Sequence, residues 1–262
     1  MSTILEVTQL TRSFGGLTAV SNVDLTLAQG ELVGLIGPNG AGKTTMFNLL
    51  TGVYPPSSGT IVFTAQGTTQ SIGGKAPYAI CRAGIGRTFQ NIRLFKQLTV
   101  LENVMIAFQQ NQRYPLPTSF LRLPGFKKAE DDIREGAREL LRVMHLDHVA
   151  DELAVNLSYG GQRHLEIARA LATRPSLLLL DEPAAGMNPT ETAQLTELIR
   201  QIRRDFGLTV LLIEHDMSLV MQICERIYVL DHGIVIASGT PAEVRANPRV
   251  IEAYLGEEVD HA

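Results

Sequence analysis

Apolar positions along the chain fall into three recurring patterns. Val23, Leu25 and Leu27 alternate with Asp24 and Thr26, the two-residue period of a half-buried strand. Residues 4–35 read as β structure on this basis, with a turn at Gln29-Gly30, and Gly59-Thr60-Ile61-Val62-Phe63 continues the pattern. Continuous apolar runs occupy Leu32-Val33-Gly34-Leu35-Ile36, Leu177-Leu178-Leu179-Leu180 and Thr209-Val210-Leu211-Leu212-Ile213. Such runs mark strands buried on both faces, as in a parallel sheet. The third pattern is helical. It places Ile133, Ala137, Leu140, Leu141 and Met144 on one face of a helix over 130–146, and Leu165, Ala168, Leu171 and Ala172 on another. Leu195, Leu198, Ile199, Ile202 and Phe206 follow an Asn188-Pro189 helix start. A further helix opens near Leu98–Val104, while Pro115, Pro117, Pro124 and Gly125 break the chain beyond it into loop. Residues 226–230 and 234–237 form a hairpin around Asp231-His232-Gly233, and Thr240-Pro241-Ala242-Glu243 is a capping box opening a helical tail.

Strands and helices in this order predict an α/β fold, and the loops between them carry the chemistry. After the run that ends at Ile36 comes Gly37-Pro38-Asn39-Gly40-Ala41-Gly42-Lys43-Thr44-Thr45, which fits the phosphate-binding pattern G-x-x-x-x-G-K-[ST]. A helix follows it, with Gly52 placed as a left-handed C-terminal cap. The glycines let successive N–H groups curl toward phosphate oxygens, and the helix start adds unpaired donors. Lys43 can reach terminal phosphates, and the Thr44 hydroxyl can hold a magnesium ion.

The strand at 177–180 delivers Asp181 and Glu182 to its C-terminal edge, where ligands sit in open α/β sheets. Alternation along a strand points neighbouring side chains oppositely, so the two carboxylates should do different work. Asp181 can bind magnesium through water, and Glu182 can polarise an attacking water. His215 follows the strand at 209–213 and could bond a γ-phosphate. Ser158, Gly160, Gly161 and Gln162 stand at a helix entrance, which reads as an ordinary serine cap or as a second anion cradle; local sequence favours the cap. Gln90 ends Gly84-Ile85-Gly86-Arg87-Thr88-Phe89 and can coordinate an ion or water. Phe14, among polar and glycine neighbours, is either core filling or a stacking platform, and local sequence favours core.

Composition narrows the partners. The chain has 262 residues and a formal net charge of −4, so no basic field favours nucleic acid. Cys81 and Cys224 lie far apart without metal or redox spacing and read as small buried thiols in a reducing compartment. The start of the chain lacks the basic-then-apolar layout of a signal peptide, and no apolar run reaches bilayer length. A soluble, cytoplasmic protein is expected, with any membrane role supplied through a partner.

Taken together, the phosphate loop at 37–45, Gln90, residues 157–162, the carboxylate strand with Pro183, Asn188 and His215 resemble the nucleotide-binding subunits of ATP-binding cassette transporters, in order and spacing. The resemblance extends over essentially the whole chain. It implies a P-loop NTPase core at 1–75 and 166–240, with an N-terminal antiparallel β subdomain, an inserted α-helical subdomain at 76–165 and a helical tail at 241–262. It also places Phe14 where an aromatic stacks on adenine, reversing the local preference.

Two departures stand out: Tyr159 replaces a usual glycine, and Asn188 stands where aspartate is common. Both are usual in the ATPase subunits of branched-chain and neutral amino acid importers. Residues 86–95, 181–189 and 253–256 are similar to that branch, and so is the Pro-rich, acid-free insert at 109–128. An importer of urea or amides is the near alternative, and a soluble cassette ATPase acting on nucleic acid is the distant one. A single cassette, the missing coiled coil and the acidic balance weigh against the distant reading.

What the resemblance implies is a dimer, as a homodimer or with a related paralogue, holding two ATP molecules with Mg2+. Each ATP would be gripped by the phosphate loop of one subunit and the Ser158 region of the other. Lys43, Glu182 and His215 would serve hydrolysis, and Thr44, Gln90 and Asp181 the metal. The partners implied are integral membrane permease subunits and, indirectly, a periplasmic or extracellular solute-binding protein. The site implied is the cytoplasmic face of the inner membrane. The region of Gln90 and the basic insert are expected to face the permease and anionic lipid rather than to be a merely solvated loop.

Overall fold

The computed structural model describes residues 2–109 and 124–260. Two compact units divide the chain, one formed by Met1–Arg87 with Ser176–Ala262 and the other by Thr88–Pro175.

In the first unit, β1 (Thr3–Phe14), β2 (Leu17–Ala28), β4 (Ser58–Ala65) and β5 (Thr68–Ser71) form an antiparallel sheet in the order β2-β1-β4-β5. A second sheet of six strands runs β10-β9-β3-β8-β7-β6. It comprises β3 (Leu32–Ile36), β6 (Ile85–Arg87), β7 (Leu177–Asp181), β8 (Thr209–Ile213), β9 (Arg226–Asp231) and β10 (Ile234–Gly239). All its pairings are parallel except β9 with β10. The three unbroken apolar runs are β3, β7 and β8, every residue of them buried. Strands covered on both faces tolerate no polar alternation, which is why the runs are continuous. Because these strands are parallel neighbours, the segments that leave their C-terminal ends emerge along one edge.

The helix α1 (Lys43–Leu50) packs Met46, Phe47, Leu49 and Leu50 into a core shared with Leu5, Leu25, Phe63 and Leu177. Gly52 takes a φ of 73° just beyond Thr51, and a Cβ there would stand 2.1 Å from the Lys75 carbonyl oxygen, so glycine is required. The helix α2 (Pro77–Ala83) also belongs here: Ile80 is buried in the same core.

The second unit is helical. It contains α3 (Val100–Gln109), α4 (Pro124–Val143) and α5 (Tyr159–Ala172), with short 3-10 turns at Asp147–Val149 and Ala154–Asn156. Ile133, Ala137, Leu140, Leu141 and Met144 are all at most 5% exposed, as their helical spacing predicts. The helix limits differ from the expected 130–146. Pro124 stands at its first residue rather than breaking the chain, since an N-terminal helical position needs no N–H. At the far end His145 turns to a φ of 57°, so residues 144–146 leave the helix. The compact helical unit spans 88–175 against an expected 76–165, because α2 packs into the first unit and α5 lies wholly in the second. Most of the insert at 109–128 lies outside the described residues.

Back in the first unit, α6 (Pro189–Phe206) begins with a complete capping box between Asn188 and Glu191. Its apolar face is Leu195, Leu198, Ile199 and Ile202; Phe206, assigned to that face from its spacing, is 46% exposed beside the terminating Gly207. The helices α7 (Met217–Ile223), α8 (Pro241–Arg245) and α9 (Pro248–Asp260) complete the unit, α8 opening on the expected box of Thr240 and Glu243. Cys81 and Cys224 are both free; Cys224 is buried, which pushes its thiol up to about 12, whereas Cys81 is only half-buried, contrary to expectation. Among the described residues no helix is long and apolar enough to cross a membrane.

Candidate functional site: a phosphate loop beside two carboxylates

The loop between β3 and α1 has the backbone that its glycines foretell. Gly37 and Gly42 take φ values of 150° and 102°, and a Cβ on either would meet a carbonyl oxygen, of Leu230 at 1.9 Å and of Ala19 at 2.4 Å. Side chains are excluded there by both conformation and space. The loop is pinned from outside as well, since the Gly233 N–H donates to the Ala41 carbonyl at 3.0 Å. Lys43 is 6% exposed, and its ammonium donates to the carbonyls of Gly37 and Pro38 at 2.6 and 2.7 Å. A buried cation held on the loop's own carbonyls is poised for an anion seated in the same curl. Thr44 is exposed and Thr45 half-buried at the helix start.

Asp181 and Glu182 do take different partners. Asp181 is 3% exposed and pairs with Arg87, Oδ2 to Nη2 at 2.8 Å. Glu182 has left-handed backbone, φ 46°, and its Oε1 lies 2.7 Å from Nε2 of His215. A non-glycine residue in that region carries strain, and such residues gather at functional sites. Thus the histidine that follows β8 is joined to the carboxylate that follows β7, its neighbour in the sheet.

A third carboxylate braces both segments. Glu214 is 3% exposed and accepts from the Ala184 N–H at 2.7 Å and, through its other oxygen, from the N–H groups of His215 at 3.1 Å and Asp216 at 3.4 Å. Burial raises its carboxyl above the ordinary range; the three backbone bonds oppose that shift and the nearby Glu182 adds to it.

Phe14 is not core. It is 37% exposed at the end of β1, with the Arg12 guanidinium 4.5 Å over its ring and Tyr54 edge-on at 5.1 Å. A ring left open to solvent beside aromatic and cationic neighbours is free to stack on a flat ligand. The local preference for core filling fails because Phe14 lies where β1 runs out beyond the packed layer.

In the second unit, Ser158 is the N-cap of α5, its hydroxyl accepting from the Gly161 N–H at 3.2 Å. Gln162 donates from Nε2 to the Leu157 carbonyl at 2.9 Å, closing the same turn. Tyr159 projects, 46% exposed. Gln90 is exposed, and its main-chain carbonyl accepts from Arg163 at 3.0 Å. The serine-cap reading of this entrance therefore holds, and a helix start with exposed Ser158 and half-buried Gly160 and Gly161 is also where an anion would sit.

Four residues of these sites escaped the sequence reading: Arg87, Arg163, Glu166 and Glu214. Arg163 and Glu166, an ion pair at 2.8 Å on α5, are both buried on that helix, where charges ordinarily face solvent. Arg87 is the last residue of β6, the short strand that pairs with β7, and Glu214 directly precedes His215; being charged at a sheet's ligand edge was the available signal.

Among the described residues no group of three or more His, Cys, Asp or Glu is arranged to hold a metal. A magnesium ion needs no such cage, because it binds through a carboxylate or two, a hydroxyl, substrate phosphates and water. The hard oxygen donors of Thr44 and Asp181 fit that requirement.

Comparison with known proteins gives the family. The family model described as ABC transporter matches residues 20–185, and one described as branched-chain amino acid ATP-binding cassette transporter matches 235–260. The chain is similar to the high-affinity branched-chain amino acid transport ATP-binding protein LivG of Escherichia coli (strain K12), 49% identical over 97% of this chain and 98% of that one. It is 47% identical to BraF of Pseudomonas aeruginosa, a protein named for the same transport, over the same shares. It is also similar, at 35%, to the lipopolysaccharide export system ATP-binding protein LptB of Escherichia coli (strain K12). Among solved structures, an ATP-binding cassette of an ABC transporter in its ADP conformation superposes with a TM-score of 0.84 at 32% identity, covering 98% of this chain and 100% of that one. A dimeric cassette bound to ADP and Pi matches with a TM-score of 0.73 at 26% identity, covering 91% and 99%. The chain belongs to the ABC transporter family and is an ATP-binding, ATP-hydrolysing cassette of it.

Proposed function

We propose that this cassette powers the uptake of branched-chain or neutral amino acids. It would bind integral membrane permease subunits at the cytoplasmic face of the inner membrane, with a solute-binding protein feeding the complex from outside. The observation that carries the reading is near-half identity to two importer ATPases over nearly the full length of all three chains.

In the first unit, the curl of Gly37, Pro38, Asn39, Gly40, Ala41 and Gly42 would receive the phosphates on N–H groups. Lys43 would move its ammonium from loop carbonyls to phosphate oxygens. Thr44 and Asp181 would hold Mg2+, which would supply positive charge against that of the terminal phosphates. Thr45 would support the helix start, and Phe14 would stack on adenine. Glu182 would orient and polarise the attacking water. His215 would hold Glu182 in place through the 2.7 Å bond and report on the γ-phosphate from the same position.

The metal role of Gln90, in the second unit, rests on the family resemblance. Ser158, Gly160, Gly161 and Gln162 would complete the phosphate site of a second copy, supplying bonds that exist only when two cassettes close. Closure with ATP and opening after hydrolysis would then move the permease between its two faces.

The test is to co-purify the chain with its membrane subunits, reconstitute them in liposomes and measure phosphate release. Leucine, isoleucine or valine with the binding protein should stimulate turnover. Stimulation by urea alone, or by RNA or DNA in a salt-sensitive manner, would overturn the reading.

A further inference from the structure

Residues 88–95 carry Gln90 and run without helix or strand. Five main-chain groups of this segment nevertheless bond to side chains of α5. Arg163, fully buried, donates from Nη1 to the Phe89 carbonyl at 2.7 Å and from Nη2 to the Gln90 carbonyl at 3.0 Å. Glu166 accepts on Oε1 from the N–H groups of Phe89 and Arg93, both at 3.3 Å. Arg169 donates to the Arg93 carbonyl.

Arg163 and Glu166 are themselves paired at 2.8 Å, and Arg163 also reaches the Tyr159 hydroxyl at 3.3 Å. Positions 163, 166 and 169 recur every three residues, so they line one side of the helix. The first turn of that helix is capped by Ser158.

Folding alone gives little reason for this arrangement. Two charges taken out of water cost more than a well-packed apolar pair of the same volume. Burial also pushes the Glu166 carboxyl up in spite of the Arg163 charge beside it. What a charged pair adds is directional donors and acceptors, and here they are spent on another segment's main chain. An apolar pair could pack against that segment but could not fix its register.

Building on the roles proposed above for Gln90 and Ser158, we infer that Arg163 and Glu166 are positioning residues that lock segment 89–93 to α5. Gln90 and the Ser158–Gly161 entrance then keep one relative placement and shift as one body when nucleotide and a second copy engage. A change felt at Gln90 is delivered to the serine entrance without slack.

The experiment uses the full-length chain with the double substitution Arg163→Met/Glu166→Leu, which replaces the charges by apolar groups of similar volume and leaves no buried charge unpaired. The expected result is an ATP-analogue Kd within about threefold of wild type, with kcat lower by about tenfold or more at little-changed KM. Amide exchange at Phe89 and Arg93 should rise by about tenfold or more. Glu166→Gln keeps an oxygen for the Phe89 and Arg93 N–H groups while its NH2 faces Arg163, so amide exchange at those two positions should rise less than in the double variant.

Wild-type kcat with unchanged exchange at both amides would overturn the inference. If the double variant does not fold, Arg163→Lys serves instead: three ammonium donors cannot replace the four contacts of the guanidinium, with two carbonyls, Glu166 and the Tyr159 hydroxyl, so unchanged exchange at Phe89 and Arg93 would again overturn it. Gln90→Ala separates the two readings. Wild-type kcat there removes the role given to Gln90, and the lock then stands or falls on the amide exchange of the Arg163 variants.

Discussion

Nη2 of Arg87 lies 2.8 Å from Oδ2 of Asp181, and both side chains are at least nine-tenths buried. The same guanidinium donates to Asn48 at 2.8 Å and to Thr51 at 3.0 Å, both on the segment that follows the phosphate loop. Arg87 therefore ties the carboxylate at the end of β7 to the helix after β3. It also supplies positive charge to a carboxylate proposed to face magnesium.

Arg87→Met should remove a paired cation from beside the buried Asp181. Breaking such a pair costs about 3–5 kcal/mol, so a large drop in melting temperature is expected. Mg2+ with a non-hydrolysable ATP analogue should recover more melting temperature in the variant than in the wild type, because the ion replaces part of the lost charge. Differential scanning calorimetry with and without the metal measures both effects. Equal ligand stabilisation in the two proteins would remove Asp181 from the metal site.

The Glu182–His215 bond argues for a second outcome. Glu182→Gln keeps the shape and one hydrogen-bonding oxygen but cannot take up a proton. ATP turnover should fall by about 10²-fold or more. Nucleotide should still bind, and without hydrolysis the dimer should persist during size-exclusion chromatography in ATP. Wild-type phosphate release from this variant would take the water-activating role away from Glu182.

Much of this was legible before any coordinates. β3, β7 and β8 declared themselves as unbroken apolar runs because both of their faces are covered, and the glycine loop followed from its spacing. The Asn188 and Thr240 caps are local hydrogen-bonding patterns, so four residues suffice to specify each. Phe14 was misjudged on local grounds, because exposure depends on what other strands reach and not on its neighbours in sequence. Arg163 and Glu166 were invisible for a related reason. Their partners are main-chain atoms some 70 residues away (|i−j| of 73 to 77), and nothing in a backbone group's sequence says which side chain will claim it.

Lys43→Met tests the loop itself. Its ammonium sits on the Gly37 and Pro38 carbonyls, so an apolar chain of similar length leaves those two acceptors to find water while the glycine conformations persist. Affinity for ATP should weaken by about tenfold or more, the worth of one strong charge-assisted bond. Circular dichroism should stay close to wild type. Isothermal titration with ATP gives the answer, and an unchanged Kd would contradict the phosphate role of Lys43.

Glu214 offers a test of how the site is braced. Its folded carboxyl has a raised pKa, so between the unfolded and folded values the folded state holds the proton more tightly. Stability from this group therefore rises as pH falls through the folded value and is lost as pH climbs back above it. Glu214→Gln removes that proton linkage. It also turns one oxygen into an NH2 group, although the Ala184 N–H approaches one oxygen and the His215 and Asp216 N–H groups the other. One of those donor sets must then face a donor, at a cost of about 1–3 kcal/mol. The loss of a buried charge offsets part of this above the folded value, so the stability deficit of Glu214→Gln should be smallest there and widen as pH falls toward the unfolded value. Urea denaturation across that range measures it. A deficit that narrows on acidification would mean that the three N–H donors outweigh burial and hold the folded carboxyl below its ordinary range.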